Sequence, residues 1–186
     1  CSPSCTCRMV GCARRESLHG AAVTRHDRGV AILGQSGSGK STAAWQMIER
    51  GWQLVSDDLL TFDASMRVLP GPPWLRFLSS EDGDLQGIPD AGGKLRVSSS
   101  ASSIPVPLCA IVIMEPQSAT CARLTGTSAI SALLHQLYYP VVTHDCQVRR
   151  RFELVHTLAE NVPIFAVPPR SLSPGQIEDI VEGQKQ

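Results

Sequence analysis

The sequence predicts an α/β domain in which helices flank a mixed, largely central sheet. Three observations lead to this class: short apolar strands alternate with amphipathic helical segments, some strands follow one another through tight turns, and a glycine-rich loop joins an early strand to a helix. A chain of 186 residues has the size of one domain and can bury an ordinary core. Hairpins beside crossover helices favour a sheet with both parallel and antiparallel pairs.

Each element is predicted from the period of its apolar residues and from the turn or cap residues at its ends. The segment Pro70 to Asp90 is rich in Pro, Gly and acidic residues, so we expect a long functional loop or an irregular lid there. The pattern Ser173-Pro174-Gly175-Gln176 is a capping box, which predicts a last helix to about Val181. The other predicted strands are residues 17–24, 29–33, 52–56, 59–62, 68–69, 95–98, 108–114, 122–125 and 162–167, and the other predicted helices are residues 40–50, 128–137 and 148–161.

Two of these strand pairs should be hairpins. The first two strands enclose the turn His26 to Gly29 and lead into the glycine loop. The strands at residues 59–62 and 68–69 suggest a second hairpin around Asp63-Ala64-Ser65.

The charge of the chain excludes some classes of partner. Its 17 basic and 17 acidic residues cancel, so no large positive field exists to hold nucleic acid or an anionic membrane. No apolar run approaches the roughly 20 residues that span a bilayer, and the sequence begins without a signal-peptide pattern. We therefore expect a cytoplasmic protein that binds neither partner, and a homo-oligomer is compatible with the composition.

Four of the seven cysteines, Cys1, Cys5, Cys7 and Cys12, lie in the first dozen residues. Their spacing lacks the paired C-x2-C knuckles of common zinc sites, and an odd total does not fit a disulfide framework. Metal-binding and redox roles rest on the cysteine count alone. We expect residues 1–16 to be a disordered, cysteine-rich segment and residues 17–186 to form the domain.

The run from Gly34 to Ser41 matches the pattern G-x-x-x-x-G-K-[ST], which binds nucleotide phosphates. Glycines let several backbone N–H groups turn inward, and the N-terminus of the following helix favours negative charge. Lys40 should reach the β- and γ-phosphates, and the Ser41 hydroxyl should ligate Mg²⁺. The sequence therefore predicts a P-loop domain that binds ATP with Mg²⁺. Its expected nucleotide-binding residues are Gly34, Gln35, Ser36, Gly37, Ser38, Gly39, Lys40, Ser41 and Thr42.

A P-loop protein also needs an acidic group, usually at the end of a neighbouring apolar strand, to hold Mg²⁺ or to activate a nucleophile. Asp57-Asp58 and Glu115 each follow such a strand. Glu115 precedes Pro116, which is typical of a solvated strand end. Adjacent carboxylates repel each other, and a cation or a raised pKa relieves that repulsion. We therefore favour the aspartate pair.

Three segments together resemble the catalytic domain of the HPr kinase/phosphorylase family, a bacterial group that phosphorylates a serine on a protein. These segments are Leu18-His19-Gly20, the glycine loop, and the run from Arg50 to Asp58. The spacing of His19, Lys40 and Asp58 carries most of the resemblance, and Ile104-Pro105-Val106 adds to it. The similarity covers residues 17–115 well and the remainder only loosely.

The resemblance implies a role for each matching residue. Lys40 and Ser41 would hold phosphate and Mg²⁺, and His19 would lie beside the reacting phosphate. Asp58 would be the general base for the acceptor serine, while Asp57 would share the metal or orient its neighbour. The expected catalytic residues are thus His19, Lys40, Asp57 and Asp58, and the expected metal ligands are Ser41 and Asp57.

One family signature is absent in recognisable form, namely a Glu followed by an apolar segment rich in Arg and Gly. At about its place stands the run Glu81 to Ile88, which keeps acids and a glycine but lacks the arginine. That signature serves a second Mg²⁺ and the reverse reaction. The sequence is therefore closer to divergent HPr-kinase-like proteins that act on other proteins or peptides.

The sequence leaves three hypotheses of function. The first is an ATP- and Mg²⁺-dependent kinase that phosphorylates a serine on a protein or peptide substrate. The second, suggested by the absent signature, is a regulatory or degenerate module that binds nucleotide without transfer. The third is a small-molecule P-loop kinase, which explains Lys40 but not the spacing of His19 and Asp58.

Overall fold

A computed structural model describes residues 16–78, 86–138 and 145–183 of this chain. It confirms the predicted class, because helices flank a central mixed sheet. The elements in chain order are β1 (Ser17–Arg25), β2 (Arg28–Gly34), α1 (Lys40–Ile48), β3 (Gln53–Ser56), β4 (Leu59–Thr61), β5 (Arg67–Val68), β6 (Trp74–Leu78), β7 (Ile88–Pro89), β8 (Lys94–Ser98), β9 (Val106–Met114), β10 (Ala122–Leu124), α2 (Gly126–Leu134), α3 (Asp145–Asn161), β11 (Ile164–Val167) and α4 (Pro174–Gly183).

The main sheet has the strand order β10-β11-β9-β2-β1-β3. Its centre is parallel, since β9 pairs in parallel with both β2 and β11, while β1, β3 and β10 pair antiparallel with their neighbours. Parallel strands need helices on both faces of the sheet. The helices accordingly pack on both faces, α1 and α4 on one and α2 and α3 on the other.

The strand β2 shows why this sheet is buried on both faces. Ala31 and Leu33 belong to the core cluster beneath α2 and α3, whereas Val30 and Ile32 belong to the cluster beneath α1 and α4. All four side chains are fully buried. Because side chains alternate along a strand, a continuous apolar run supplies both cores at once.

The predicted hairpin of β1 and β2 is confirmed, with antiparallel pairing from Gly20 opposite Leu33 to Arg25 opposite Arg28. His26 and Asp27 form its two-residue turn, with φ values of 51° and 58°. Positive φ at both central residues matches the twist of the flanking strands and is well tolerated by Asp. The hairpin therefore delivers β2 directly into the glycine loop.

The loop or lid expected at residues 70–90 is wrong in part, because β6 and β7 lie there and pair with β8 in a separate three-stranded sheet. Leu75 and Phe77 of β6 are buried in the same core cluster as α1. This long-range burial turns a segment rich in Pro and Gly into a strand. We call the sheet of β6, β7 and β8 the small sheet.

The second expected hairpin is present. Phe62 bridges Val68, the Asp63 N–H donates to the Arg67 carbonyl oxygen at 2.9 Å, and the Leu69 N–H donates to the Thr61 carbonyl oxygen at 2.8 Å. On their other edges β4 pairs with β1 and β5 pairs with β9. The helix α2 ends at Leu134 rather than residue 137, because Leu137 forms a bridge with Leu18, a partner that is distant in the sequence.

The other boundaries lie within a few residues of the predictions. The capping box before α4 is present, since the Ser173 N–H donates to Gln176 Oε1 at 2.9 Å and the Gln176 N–H donates to Ser173 Oγ at 3.3 Å. The cysteine-rich start, residues 1–15, lies outside the described residues. In the described parts of the chain, no helix combines the length and apolar character that a bilayer span requires.

Candidate active site

The glycine loop follows β2 and turns into α1 at the carboxyl edge of the parallel strands. Gly34, Gly37 and Gly39 have φ values of 149°, 77° and 99°, which side chains rarely permit. A Cβ at Gly34 would lie 2.8 Å from the Ser38 hydroxyl oxygen. These glycines therefore allow a tight loop whose backbone N–H groups can surround an anion.

Lys40 is folded against the loop itself. Its Nζ donates to the carbonyl oxygens of Gly34 and Gln35, each at 2.8 Å, and the residue is only 7% exposed. Burial lowers the pKa of Lys40, although the nearby carboxylates of Asp57 and Asp58 oppose that shift. The ammonium group is thus held at the loop, next to the position where phosphate oxygens would bind.

Two further observations fit an anion at this loop. The buried Ser38 hydroxyl has no hydrogen-bond partner among the described residues. No side chain caps the N-terminus of α1, whose N-cap residue is Gly39. Exposed N–H groups at a helix N-terminus carry positive partial charge. Loop and helix together are therefore suited to a nucleotide phosphate chain.

Ser41 and Asp57, the two expected metal ligands, lie in contact beside the loop. The Ser41 hydroxyl donates to the Asp57 carboxylate at 3.2 Å. Burial raises the pKa of Asp57 to about 6, and the charge of Asp58 adds to this, while the hydrogen bond from the backbone N–H of Arg76 lowers it. A cation at this carboxylate would relieve the cost of its buried charge. Both side chains supply the oxygen ligands that Mg²⁺ requires.

Asp58 follows β3 in an unusual backbone conformation, with a φ of 66°. Its carboxylate accepts a hydrogen bond from Arg76 Nη1 at 2.6 Å, and Lys94 Nζ lies 3.8 Å away. A non-glycine residue in this region costs free energy, and such residues cluster at functional sites. The conformation turns the carboxylate of Asp58 toward cations of the small sheet.

His19 lies on β1 opposite the aspartate pair. Its Nδ1 lies 2.9 Å from the backbone carbonyl oxygen of Asp58. Because a carbonyl oxygen only accepts, Nδ1 must carry the proton, which leaves Nε2 as an acceptor when the ring is neutral. Burial lowers the pKa of His19, and the charge of Lys40 lowers it further. The imidazole is therefore neutral near pH 7.

One cleft brings most of these predicted residues together. His19, Asp58 and the loop residues Ser36 and Gly37 line it, as do residues 39–42. Asp57 lies beneath Ser41, and the side chain of Ser38 is buried within the loop. The weaker candidate, Glu115, does not line this cleft.

Three charged residues of the small sheet were not predicted from the sequence. Arg76 and Lys94 line the cleft, and Asp90 binds the guanidinium group of Arg76. One signal was present in the sequence, because Arg76 stands between the apolar residues Leu75 and Phe77. That alternation is typical of a strand with a polar face, and the surrounding prolines and glycines obscured it.

Comparisons with known proteins match the segment that carries the loop and the aspartates. The model of the HPr Serine kinase C-terminal domain matches residues 11–72. The HPr kinase/phosphorylase of Lachnoclostridium phytofermentans is 49% identical over 51 residues, which are 27% of this chain and 16% of that protein. The enzyme of the same name from Lactiplantibacillus plantarum is 46% identical over 46 residues, or 25% of this chain and 15% of that protein.

A structural comparison finds the Hpr(Ser) kinase/phosphatase from Coxiella burnetii, with a TM-score of 0.45 and 15% identity. That match covers 91% of this chain and 95% of the other. The match to the family model is local but contains the glycine loop, Asp57 and Asp58, whereas Arg76, Asp90 and Lys94 lie beyond residue 72. Residues 11–72 therefore resemble the HPr Serine kinase C-terminal domain, and the matched stretch is about a sixth of the length of each of these curated relatives.

Proposed function

We propose that this chain binds MgATP and transfers the terminal phosphoryl group to the serine hydroxyl of a protein or peptide. The observation that carries the proposal is one cleft in which His19, Asp58 and the loop residues Lys40 and Ser41 meet. A phosphate-binding loop alone is common to many P-loop proteins. A carboxylate and an imidazole beside that loop are suited to activating a hydroxyl.

The loop would hold the phosphates and the metal ion. Lys40 would exchange its bonds to two loop carbonyls for bonds to phosphate oxygens, and α1 would direct its N-terminus at the chain of phosphates. Ser41 and Asp57 are the protein residues that would hold Mg²⁺, because they offer the oxygen atoms that this ion binds. Bound Mg²⁺ supplies neutralisation of the charge on the phosphates.

Asp58 is the proposed general base. A serine hydroxyl is a poor nucleophile until a carboxylate accepts its proton. The serine oxygen forms a bond to the terminal phosphorus, the bond from that phosphorus to the ADP oxygen breaks, and Asp58 takes the hydroxyl proton. Neutral His19 adds no positive charge beside Asp58, and its Nε2 can accept a hydrogen bond in the cleft.

One observation favours the alternative of a module that binds nucleotide without transfer. The Asp58 carboxylate is paired with Arg76 at 2.6 Å, so its Oδ2 is occupied rather than available to a serine hydroxyl. Under this alternative the cleft binds MgATP, but the ion pair between Asp58 and Arg76 does not break. The two functions therefore predict the same binding and different transfer.

The test uses ATP labelled on its terminal phosphate, with Mg²⁺ and three classes of acceptor. These are HPr, for which the curated relatives are named, a panel of serine-containing peptides, and a mixture of metabolites. Phosphoserine on HPr or a peptide, lost in Asp58→Asn, supports the proposal. Nucleotide binding with no transfer to any acceptor supports the binding module, label on a metabolite supports a small-molecule kinase, and no nucleotide binding removes all three.

A further inference from the structure

Arg76 connects the small sheet to both aspartates of the site. Its Nη1 donates to Asp58 Oδ2 at 2.6 Å, and its backbone N–H donates to Asp57 Oδ2 at 2.8 Å. On its other edge, Nη2 lies 2.6 Å and Nε 2.8 Å from Asp90 Oδ2. The guanidinium group therefore lies between one carboxylate in the cleft and one carboxylate of the small sheet.

Asp90 fixes the orientation of this arginine. The Asp90 side chain is 2% exposed, and its Oδ1 accepts the backbone N–H groups of Gly92 and Lys94 at 2.9 and 3.0 Å. These bonds hold Asp90 in the turn between β7 and β8, outside the cleft. The Nε and Nη2 edge of Arg76 is thus anchored, and the Nη1 edge is the part that faces the cleft.

The contact between Arg76 and Asp58 opposes the proposed chemistry. The Arg76 guanidinium occupies Asp58 Oδ2, a carboxylate oxygen that would otherwise be available to the serine hydroxyl. The contact also keeps the positive charge of Arg76 in an ion pair beside the glycine loop. The same cleft contains Lys40 and Lys94. A guanidinium group binds phosphate oxygens in the same geometry in which it binds carboxylate oxygens. A bound phosphate can therefore compete with Asp58 for Arg76.

We propose that Arg76 exchanges partners during the reaction. Without a terminal phosphoryl group in the cleft, its Nη1 edge holds Asp58 in an ion pair. When ATP binds, that edge moves to the terminal phosphoryl group, while Asp90 keeps the rest of the guanidinium in place. Asp58 is then free to accept the serine proton. This inference rests on the proposed function, and it assigns a role to a residue beyond the segment matched by the family.

The exchange predicts that Arg76 distinguishes ATP from ADP. Calorimetry with Mg²⁺ would measure the affinity of the wild type and of Arg76→Gln for ADP and for a non-hydrolysable ATP analogue. We expect Arg76→Gln to lower the affinity for the analogue by about 10- to 100-fold, which is the effect of one charged hydrogen bond. The affinity for ADP should change little. Arg76→Lys, which keeps the charge, should restore part of the preference for the analogue.

A matched control lies directly across the small sheet. Arg96 is the cross-strand partner of Arg76, it is 48% exposed, and it does not line the cleft. Arg96→Gln removes the same charge from the same sheet and loses only a 4.0 Å contact with Asp90, whose bonds to Arg76 are 2.6 and 2.8 Å, so it should leave the affinity for both ligands unchanged. A loss of analogue affinity in Arg96→Gln equal to that in Arg76→Gln would indicate a general effect of sheet charge and contradict the proposal.

A second measurement follows Arg76 in the unaltered protein. The side-chain Nε–H signal of Arg76, in protein labelled with ¹⁵N-arginine, can be assigned by its loss in Arg76→Lys. It should shift when the analogue is added and should not shift with ADP. Equal shifts with both ligands, or equal loss of both affinities in Arg76→Gln, would overturn the exchange while leaving nucleotide binding intact. A wild type that binds neither ligand would instead refute the proposed function on which the exchange rests.

Discussion

The Ser41 hydroxyl donates a hydrogen bond to the Asp57 carboxylate across 3.2 Å, and this bond links the first turn of α1 to the end of β3. Burial of the Asp57 carboxyl raises its pKa above the ordinary value, to about 6. A cation at this pair would relieve the cost of the buried charge, and the behaviour of the pair without a cation can be measured.

We predict that Asp57 makes the metal-free protein less stable as the pH rises. The folded state keeps the Asp57 proton up to about pH 6, whereas the unfolded chain releases it near pH 4, so the free energy of unfolding falls between these values. The loss is up to about 3 kcal/mol. Urea unfolding in chelator at pH 4.5 and about 7 would measure it.

Asp57→Asn should reduce this pH dependence because Asn does not titrate. Asp27→Asn is the matched control, since Asp27 is an exposed aspartate that also has a positive φ. It should retain the dependence of the wild type. An unchanged pH dependence in Asp57→Asn would show that Asp57 is not protonated in the folded state at pH 5.

We predict that Ser41→Ala weakens Mg²⁺-dependent nucleotide binding more than metal-free binding. Alanine removes a hydroxyl ligand that Mg²⁺ requires, and one charged contact of this kind corresponds to roughly tenfold or more in affinity. Calorimetry with ATP in Mg²⁺ and in chelator gives both values. Ser128→Ala, which changes an exposed serine on α2, is the control. Equal losses with and without Mg²⁺ would argue against metal ligation by Ser41.

We predict that Lys40→Met lowers ATP affinity by roughly 100-fold or more, since the lysine would make two charged hydrogen bonds to phosphate. Methionine keeps most of the buried aliphatic volume, so the melting temperature should fall by only a few degrees. Calorimetry and thermal unfolding measure the two effects. Arg25→Met removes an exposed cation from the hairpin and should not affect binding. Unchanged ATP affinity in Lys40→Met would refute the P-loop assignment.

We predict that Asp58→Asn retains ATP affinity but loses phosphoryl transfer by roughly 10²- to 10⁴-fold, because Asn cannot accept the serine proton. Asp57→Asn should instead raise the Mg²⁺ concentration needed for half-maximal transfer. Rates at saturating ATP and varied Mg²⁺ separate the two. If Asp57→Asn is inactive at all Mg²⁺ concentrations while Asp58→Asn is active, the two roles are reversed.

Local sequence patterns were sufficient where neighbouring residues define the structure. The hairpin of β1 and β2 needs only two apolar strands and a turn, and the glycine loop needs positive φ at fixed positions. The capping box before α4 involves residues three apart. In each case the interacting groups are close along the chain, so the pattern contains the physical cause.

Patterns failed where the partner of a segment is distant. The small sheet exists because Leu75 and Phe77 are buried against the α1 face of the sheet, which residues 70–90 do not reveal by themselves. The strands β4 and β5 also pair with β1 and β9, partners that residues 59–69 do not reveal by themselves. Burial against distant strands decides between a loop and a strand in such segments.

The sequence by itself determined the α/β class, the phosphate loop around Lys40, and the aspartate pair at the end of β3. Each of these features depends on residues that are close along the chain, and local backbone geometry places their groups next to one another. Only the tertiary structure decided that Arg76 pairs with Asp58 and that Asp90 anchors it. These charges lie on different elements, and only folding brings them close enough for charge and hydrogen bonding to act.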